Sequence, residues 1–260
     1  MLVELRASPP ELAQLRERIG RAWTHLGGSR PHHSVLTGEE FLPQNLDEAA
    51  TDRFWATGSS EVVGIESRLK RNGFHSLQSK TCVEYGCGLG RVTFPLAKIF
   101  GKIHAYDISA TYLSLAKQRA MEQSVQNIEF YRCNLTSDLE ALQPCDFFYS
   151  RIVFQYNPPP VIRELIIQAL RSLRSGGIAM FQVPTYGLNY AFRLNEYLAS
   201  EWRADMEMHF IPQSEVFAVV AEAHCQVVEV EVDNSIGNAG QWISNLFIVQ
   251  RPVPAKSGIM

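Results

Sequence analysis

A carboxylate followed by three glycines at alternate positions, Glu84-Tyr85-Gly86-Cys87-Gly88-Leu89-Gly90, is the stretch of this chain best suited to holding a small molecule. It follows a β-type run, Lys80 to Val83, and precedes a helix-forming run, Val92 to Ile99, so the glycines fall on a strand-to-helix turn. Glycine reaches φ > 0 there and, lacking Cβ, lets a ligand lie against the backbone. In the dinucleotide fingerprint G-x-G-x-x-G the third glycine would stand at position 91, which is Arg91. A pyrophosphate would also be repelled by Glu84, so the turn suits a positively charged ligand. A second strand, Lys102 to Asp107, ends in an acid about twenty positions beyond the turn, where this geometry places a carboxylate on ribose hydroxyls.

This pattern resembles the first motif of the class I S-adenosylmethionine-dependent methyltransferases, written E/D-x-G-x-G-x-G. The resemblance implies S-adenosylmethionine as cofactor, a ligand whose sulfonium and ammonium groups suit Glu84. Gly86, Gly88 and Gly90 would then cradle it, and Asp107 with the adjoining Ile108 would hold its ribose. In the family an acid often stands where this chain has Asn134; its side-chain carbonyl can still accept from adenine, with Leu135 beside it, and asparagine at a strand end is also a common turn residue. Arg151-Ile152-Val153-Phe154-Gln155-Tyr156-Asn157 looks like the family's fourth motif, which implies Ser150, Arg151 and Gln155 along the cofactor and Tyr156 on the acceptor side. Trp55, next to Phe54, either plugs the core or closes over the methionine end, where an aromatic face attracts a cation.

Acceptor chemistry is expected from an aromatic and charged insertion at about residues 185–213, which emerges at the sheet edge where the cofactor sits. Tyr186 and Tyr190 are its candidate acceptor-binding residues. His209 is the candidate general base, since its ordinary pKa lies near neutrality, with Tyr156 as a positioning partner. Part of the insertion, residues 188–202, reads as helical and could instead pack as a cover.

The elements that must position these groups read as an α/β fold: a doubly wound, mostly parallel seven-stranded sheet with an antiparallel terminal strand and helices on both faces. Ser8-Pro9-Pro10-Glu11 has capping-box spacing and opens an amphipathic helix closed by Gly27-Gly28; residues 29–46 read as loop. Pro95 makes the first helix after the turn start late or kink. Further strands are expected at 127–132, 145–150 and 178–183, the last ended by Pro184, and at 226–232 and 245–250, the final two pairing antiparallel. The implied domains are a 1–56 extension, a 57–251 cofactor-binding domain and a flexible 252–260 tail.

Charged residues make up 20% of the 260 and the net charge is −3, which leaves no electrostatic footprint for nucleic acid. Five cysteines without a C-x-x-C pair, no signal-like N-terminus and no long apolar run read as reduced thiols in a soluble cytoplasmic protein that engages no membrane. No histidines or cysteines have metal-site spacing, so no metal is expected. The expected activity is methyl transfer to a small molecule, with oxygen on a sugar-like or other hydroxylated metabolite favoured over nitrogen or carbon. A nicotinamide oxidoreductase, opposed by Arg91, and a non-catalytic cofactor-binding interaction module are the other readings.

Overall fold

The computed structural model describes residues 2–133, 142–233, 236 and 240–254. Seven strands, β1 (Thr81–Tyr85), β2 (Lys102–Asp107), β3 (Ile128–Arg132), β4 (Cys145–Ser150), β5 (Leu173–Gly187), β6 (Gln226–Val232) and β7 (Trp242–Gln250), form one sheet in the order β3-β2-β1-β4-β5-β7-β6. Strands β1 to β5 pair parallel, and β7 runs antiparallel to both β5 and β6. The antiparallel strand is thus terminal in the chain but interior in the sheet, inserted between β5 and β6.

Alternation along the strands divides the core in two. Val83, Phe148, Ala179, Phe181, Phe247 and Val249 face α1 (Pro9–Ser29), α6 (Pro159–Ser172) and α8 (Gln213–Glu222). Cys82, Ile103, Ala105, Phe147, Met180 and Ile248 face Val62, Ile65 and Leu69 of α3 (Glu48–Arg71). Helices therefore cover both faces, as the pattern predicts. α3 reaches across to the outer strand, where Arg68 and Arg71 pair with Glu229 and Glu231 of β6.

The N-terminus of α1 is built as its spacing predicts: the Ser8 backbone N–H and hydroxyl both donate to the Glu11 carboxylate, at 2.6 and 2.7 Å. Gly27 and Gly28 do not end it, because the helix continues to Ser29. The stretch read as loop contains a short helix, α2 (Pro31–Val35), and one 3₁₀ turn, Glu39–Phe41. Asp47 caps α3, its carboxylate accepting from the Ala50 N–H at 2.7 Å, so a domain boundary at 56/57 would cut this helix. Pro95 sits in the five-residue α4 (Thr93–Ala97), where its missing N–H falls within the first turn and costs no internal bond. β5 runs past Pro184 to Gly187 because β7 continues to pair with it, with a register shift between Pro184 and Tyr186. Only Leu194–Ala199 (α7) of the 188–202 segment is helical.

One contact fixes α3 against the glycine turn. A Cβ on Gly58 would lie 1.9 Å from the Arg91 carbonyl oxygen, so helix and turn approach backbone to backbone. Gly58→Ala is therefore expected to lower the unfolding free energy by about 1–3 kcal/mol through overpacking, read as a shift in the denaturant midpoint. Gly64→Ala on the same helix, whose new Cβ meets only the tip of Arg68, is the control and is expected to be neutral or slightly stabilising.

Candidate functional site

The glycine turn leaves the carboxyl end of β1 and is fastened to β2. The Gly86 and Cys87 N–H groups both donate to the Tyr106 carbonyl, at 2.8 and 2.9 Å. Asp107, the last residue of β2, accepts from the Gly88 N–H at Oδ2 and from the Ser109 N–H at Oδ1, each at 2.8 Å. Ser109 caps α5 (Ala110–Glu122). Gly86, Gly88 and Gly90 all have positive φ, at 81°, 55° and 88°. Their missing side chains also make room for protein: a Cβ on Gly86 would meet Val153 at 2.2 Å, and one on Gly88 would meet Val35 at 3.0 Å. The turn is thus packed from above as well as open to a ligand.

Above it lies a cleft whose empty space, counting the part open to solvent, is about 910 Å³. Glu84, Gly86, Gly88, Asp107, Ile108, Arg151 and Tyr156 line it, together with residues that sequence reasoning did not single out as site groups: Ile19 and Trp23 of α1, Ser34 and Val35 of α2, Glu61 of α3, Arg91, and Tyr112 of α5. No local sequence signal marks most of these, because the N-terminal helices reach the cleft only by folding back over the sheet edge. Arg91 was legible as the residue replacing a glycine, but not as a site group.

The cleft's electrostatics are set by buried carboxylates. Glu84 is 4% exposed; the Thr93 hydroxyl lies beside its carboxyl without reaching full hydrogen-bond geometry, and Oε2 has no well-formed hydrogen bond among the described residues. Burial raises the Glu84 pKa to about 8, against the pull of Thr93 and Arg91. Asp107 rises to about 6, again by burial, opposed by its backbone donors. Glu61 moves the other way overall: burial pushes it up, but Arg91, Arg151 and the Tyr149 hydroxyl together hold it below its ordinary value. Arg91 reaches Glu61 Oε2 at 2.7 Å, and Arg151 reaches Glu61 at 3.3 Å and Asp233 at 2.9 Å.

Other expected site residues lie elsewhere. Gly90, with no room for a side chain beside Phe94, shapes the turn from behind the cleft wall. Ser150 is buried and its hydroxyl donates to the Tyr85 carbonyl at 2.9 Å, joining β4 to β1 beneath the cleft. Gln155 is buried too, its Oε1 accepting from Gln182 at 3.0 Å. Trp55 packs against Phe54 and Phe94, and the cation over its face is the Arg119 guanidinium, 3.6 Å from the ring centre. Asn134 and Leu135 fall outside the described residues, as does the tail beyond residue 254.

The insertion does not line the cleft either. His209 is buried, its Nδ1 2.9 Å from the Tyr190 hydroxyl and its ring packed on Phe192 and Tyr197; Tyr186 is exposed on β5. What the insertion does is brace α1. Arg18 donates to the carbonyls of Tyr197, Ser200 and Glu201, and Trp202 Nε1 donates back to the Arg18 carbonyl at 3.1 Å. The cleft walls therefore come from α1 and the segment around Tyr156 and not from the insertion, whose Tyr197 and Trp202 pack against Arg18 and Arg21 of α1 while Tyr190 and Phe210 pack on each other.

A sheet ordered 3-2-1-4-5-7-6, with a carboxylate-led glycine turn and an acid ending the second strand, defines a nucleoside-binding domain of the methyltransferase type. Residues 82–177 match the family described as "Methyltransferase domain". The chain is 25% identical over 182 residues to a ubiquinone biosynthesis O-methyltransferase of Colwellia psychrerythraea, covering 68% of this chain and 64% of that one. It is 27% identical over 155 residues to the tRNA N(3)-cytidine methyltransferase METTL6 of Rattus norvegicus, covering 57% of this chain and 51% of that protein. It therefore spans between about half and two thirds of these relatives' length. The fold is shared with magnesium protoporphyrin IX methyltransferase of Synechocystis PCC 6803, at 14% identity and a TM-score of 0.63 over 91% of this chain and 99% of the other. Residues 82–177 thus match a methyltransferase domain on a sheet with the class I, Rossmann-like fold, and S-adenosylmethionine is the cofactor expected of such a domain.

The residues present fit that cofactor. Glu84 Oε2, buried at the cleft and without a well-formed hydrogen bond, matches a cationic ligand, and each oxygen of Asp107 has a lone pair left for a hydroxyl. Without ligand, Glu84 keeps its proton in the folded chain between about 4.5, its ordinary value, and about 8. Its contribution to stability is complete below the lower value and is lost as pH rises through the upper one. Wild type is accordingly expected to lose stability relative to Glu84→Gln between these pH values, measured by denaturation across the range; a pH-independent difference would refute the assignment.

Proposed function

We propose that this chain transfers a methyl group from S-adenosylmethionine to a small-molecule acceptor, with oxygen of a hydroxylated metabolite as the first candidate and nitrogen or carbon as alternatives. The observation that carries the reading is the buried Glu84 carboxylate, its Oε2 without a well-formed hydrogen bond, beside Asp107 at the glycine turn. Bound there, S-adenosylmethionine supplies an electrophilic methyl group whose in-line transfer releases a thioether that needs no proton.

The chain's own task is then to exclude water and to aim the acceptor. Holding reactants in near-attack geometry lowers a barrier by as much as ~7–11 kcal/mol in favourable cases. Asn157 lines the cleft with its amide nitrogen committed to the Val153 and Phe154 carbonyls, at 2.9 and 3.4 Å. That leaves its Oδ1 to accept from an acceptor's O–H or N–H. No histidine is among the cleft-lining residues, so His209 as general base has no geometric support, and positioning by Tyr156 and Asn157 replaces it. The preference for a sugar-like acceptor rests on an aromatic and polar insertion without a basic groove, and the residues of that insertion are not among those lining the cleft.

A small molecule is favoured over nucleic acid by the net charge of −3 and by a cleft roofed by helices. Isotope-labelled S-adenosylmethionine presented with a panel of hydroxylated small molecules, tRNA and protein is expected to label a small molecule; label found exclusively in RNA or protein would reject the proposal. In calorimetry, Glu84→Gln is expected to weaken S-adenosylhomocysteine binding about tenfold or more, the worth of a charge-assisted hydrogen bond.

A further inference from the structure

Trp23 and Tyr156 are far apart in sequence, on α1 and after β4, and meet in the cleft, their ring centres 5.0 Å apart and their planes at 58°. Around them the wall is apolar: Ile19, Val35, Ile152 and Val153. Of the ionisable residues of the same cleft, Arg91 and Arg151 pair with Glu61, and Glu84 and Asp107 stand at the glycine turn. An acceptor reaching the Trp23 and Tyr156 wall therefore meets ring faces and methyl groups.

The wall is also held in place. Upstream of Trp23, Arg18 clamps α1 to the carbonyls at Tyr197, Ser200 and Glu201. Downstream, Gly27 sits so close to α5 that a Cβ would meet Ser109 Oγ at 2.5 Å. Trp23 lies between these two anchors, so its ring is presented by a helix fixed on both sides. Two rings tilted in this way accept a flat aromatic body stacked on one face and edge-on to the other, the geometry that ring quadrupoles favour. A polyhydroxylated sugar would set most of its hydroxyls against carbon there, Asn157 Oδ1 accepting from only one or two of them.

We propose that Trp23 and Tyr156 form the specificity wall of the acceptor subsite, and that it selects an acceptor with a flat, aromatic body carrying the hydroxyl to be methylated. This rests on the methyltransferase reading above. The test uses the full chain saturated with S-adenosylhomocysteine and titrated with 2-naphthol or methyl glucoside, binding being read by calorimetry. The expected result is that 2-naphthol binds and methyl glucoside does not. Trp23→Leu and Tyr156→Leu, which keep apolar bulk but remove the ring, are expected to weaken 2-naphthol about tenfold while S-adenosylhomocysteine affinity stays within about twofold, and Trp23→Phe to retain it. Equal binding of the two probes, or 2-naphthol affinity unmoved in both leucine variants, would overturn the proposal. Failure of S-adenosylhomocysteine to bind wild type would instead overturn the reading beneath it, and the proposal with it; the nucleoside titration separates the two.

Discussion

Three carboxylates, Glu61, Glu84 and Asp107, stand around one glycine turn in a cleft that contains two guanidiniums, Arg91 and Arg151. Burying charge in a low-dielectric site is costly unless it is paired, hydrogen-bonded or neutralised. The chain resolves the three cases differently. Glu61 takes both guanidiniums and stays ionised, Asp107 takes backbone N–H groups, and Glu84 takes a proton. A cationic ligand is the one addition that lets Glu84 ionise without leaving the cleft. The site therefore favours positive charge before any acceptor is considered.

The same arrangement holds the fold around the turn. Arg91 links the residue after the last glycine to α3, and Gly58 brings α3 onto the Arg91 carbonyl. Asp107 ties the turn to the end of β2 and, through Ser109, to the start of α5. Over this base lies a roof made by the N-terminal helices, with Val35 filling the space that a side chain on Gly88 would need. The insertion after β5 secures that roof from outside. An element expected to form the pocket instead supports the element that does.

Much of the fold was legible because its signals are local. Glycines with positive φ, the acid ending β2, the aromatic run of β4 and the Ser8–Glu11 box each follow from a few neighbouring residues. The errors were also physical. Pro184 reads as a strand end but is carried through by pairing with Ser244. Residues 31–35 lack periodicity because a single helical turn is too short to show any. Trp55 reads either as a core plug or as a cation binder; it packs on Phe54 and Phe94, and the cation over its face is Arg119. His209 has suitable chemistry by type, yet its neighbours Tyr190, Phe192 and Tyr197 bury it away from the cleft.

By itself the order of residues determined the strand-turn-helix of the glycine motif, the acid ending β2 and the antiparallel pairing of the last two strands, since each depends on backbone preference and short-range pattern. Only the tertiary structure decided that Glu61 meets Arg91, that β7 enters between β5 and β6, and that Trp23 meets Tyr156 in the cleft. Those pairings join segments 30 to more than 130 positions apart. Burial and charge balance select them only once the sheet has brought its carboxyl edge and the N-terminal helices together.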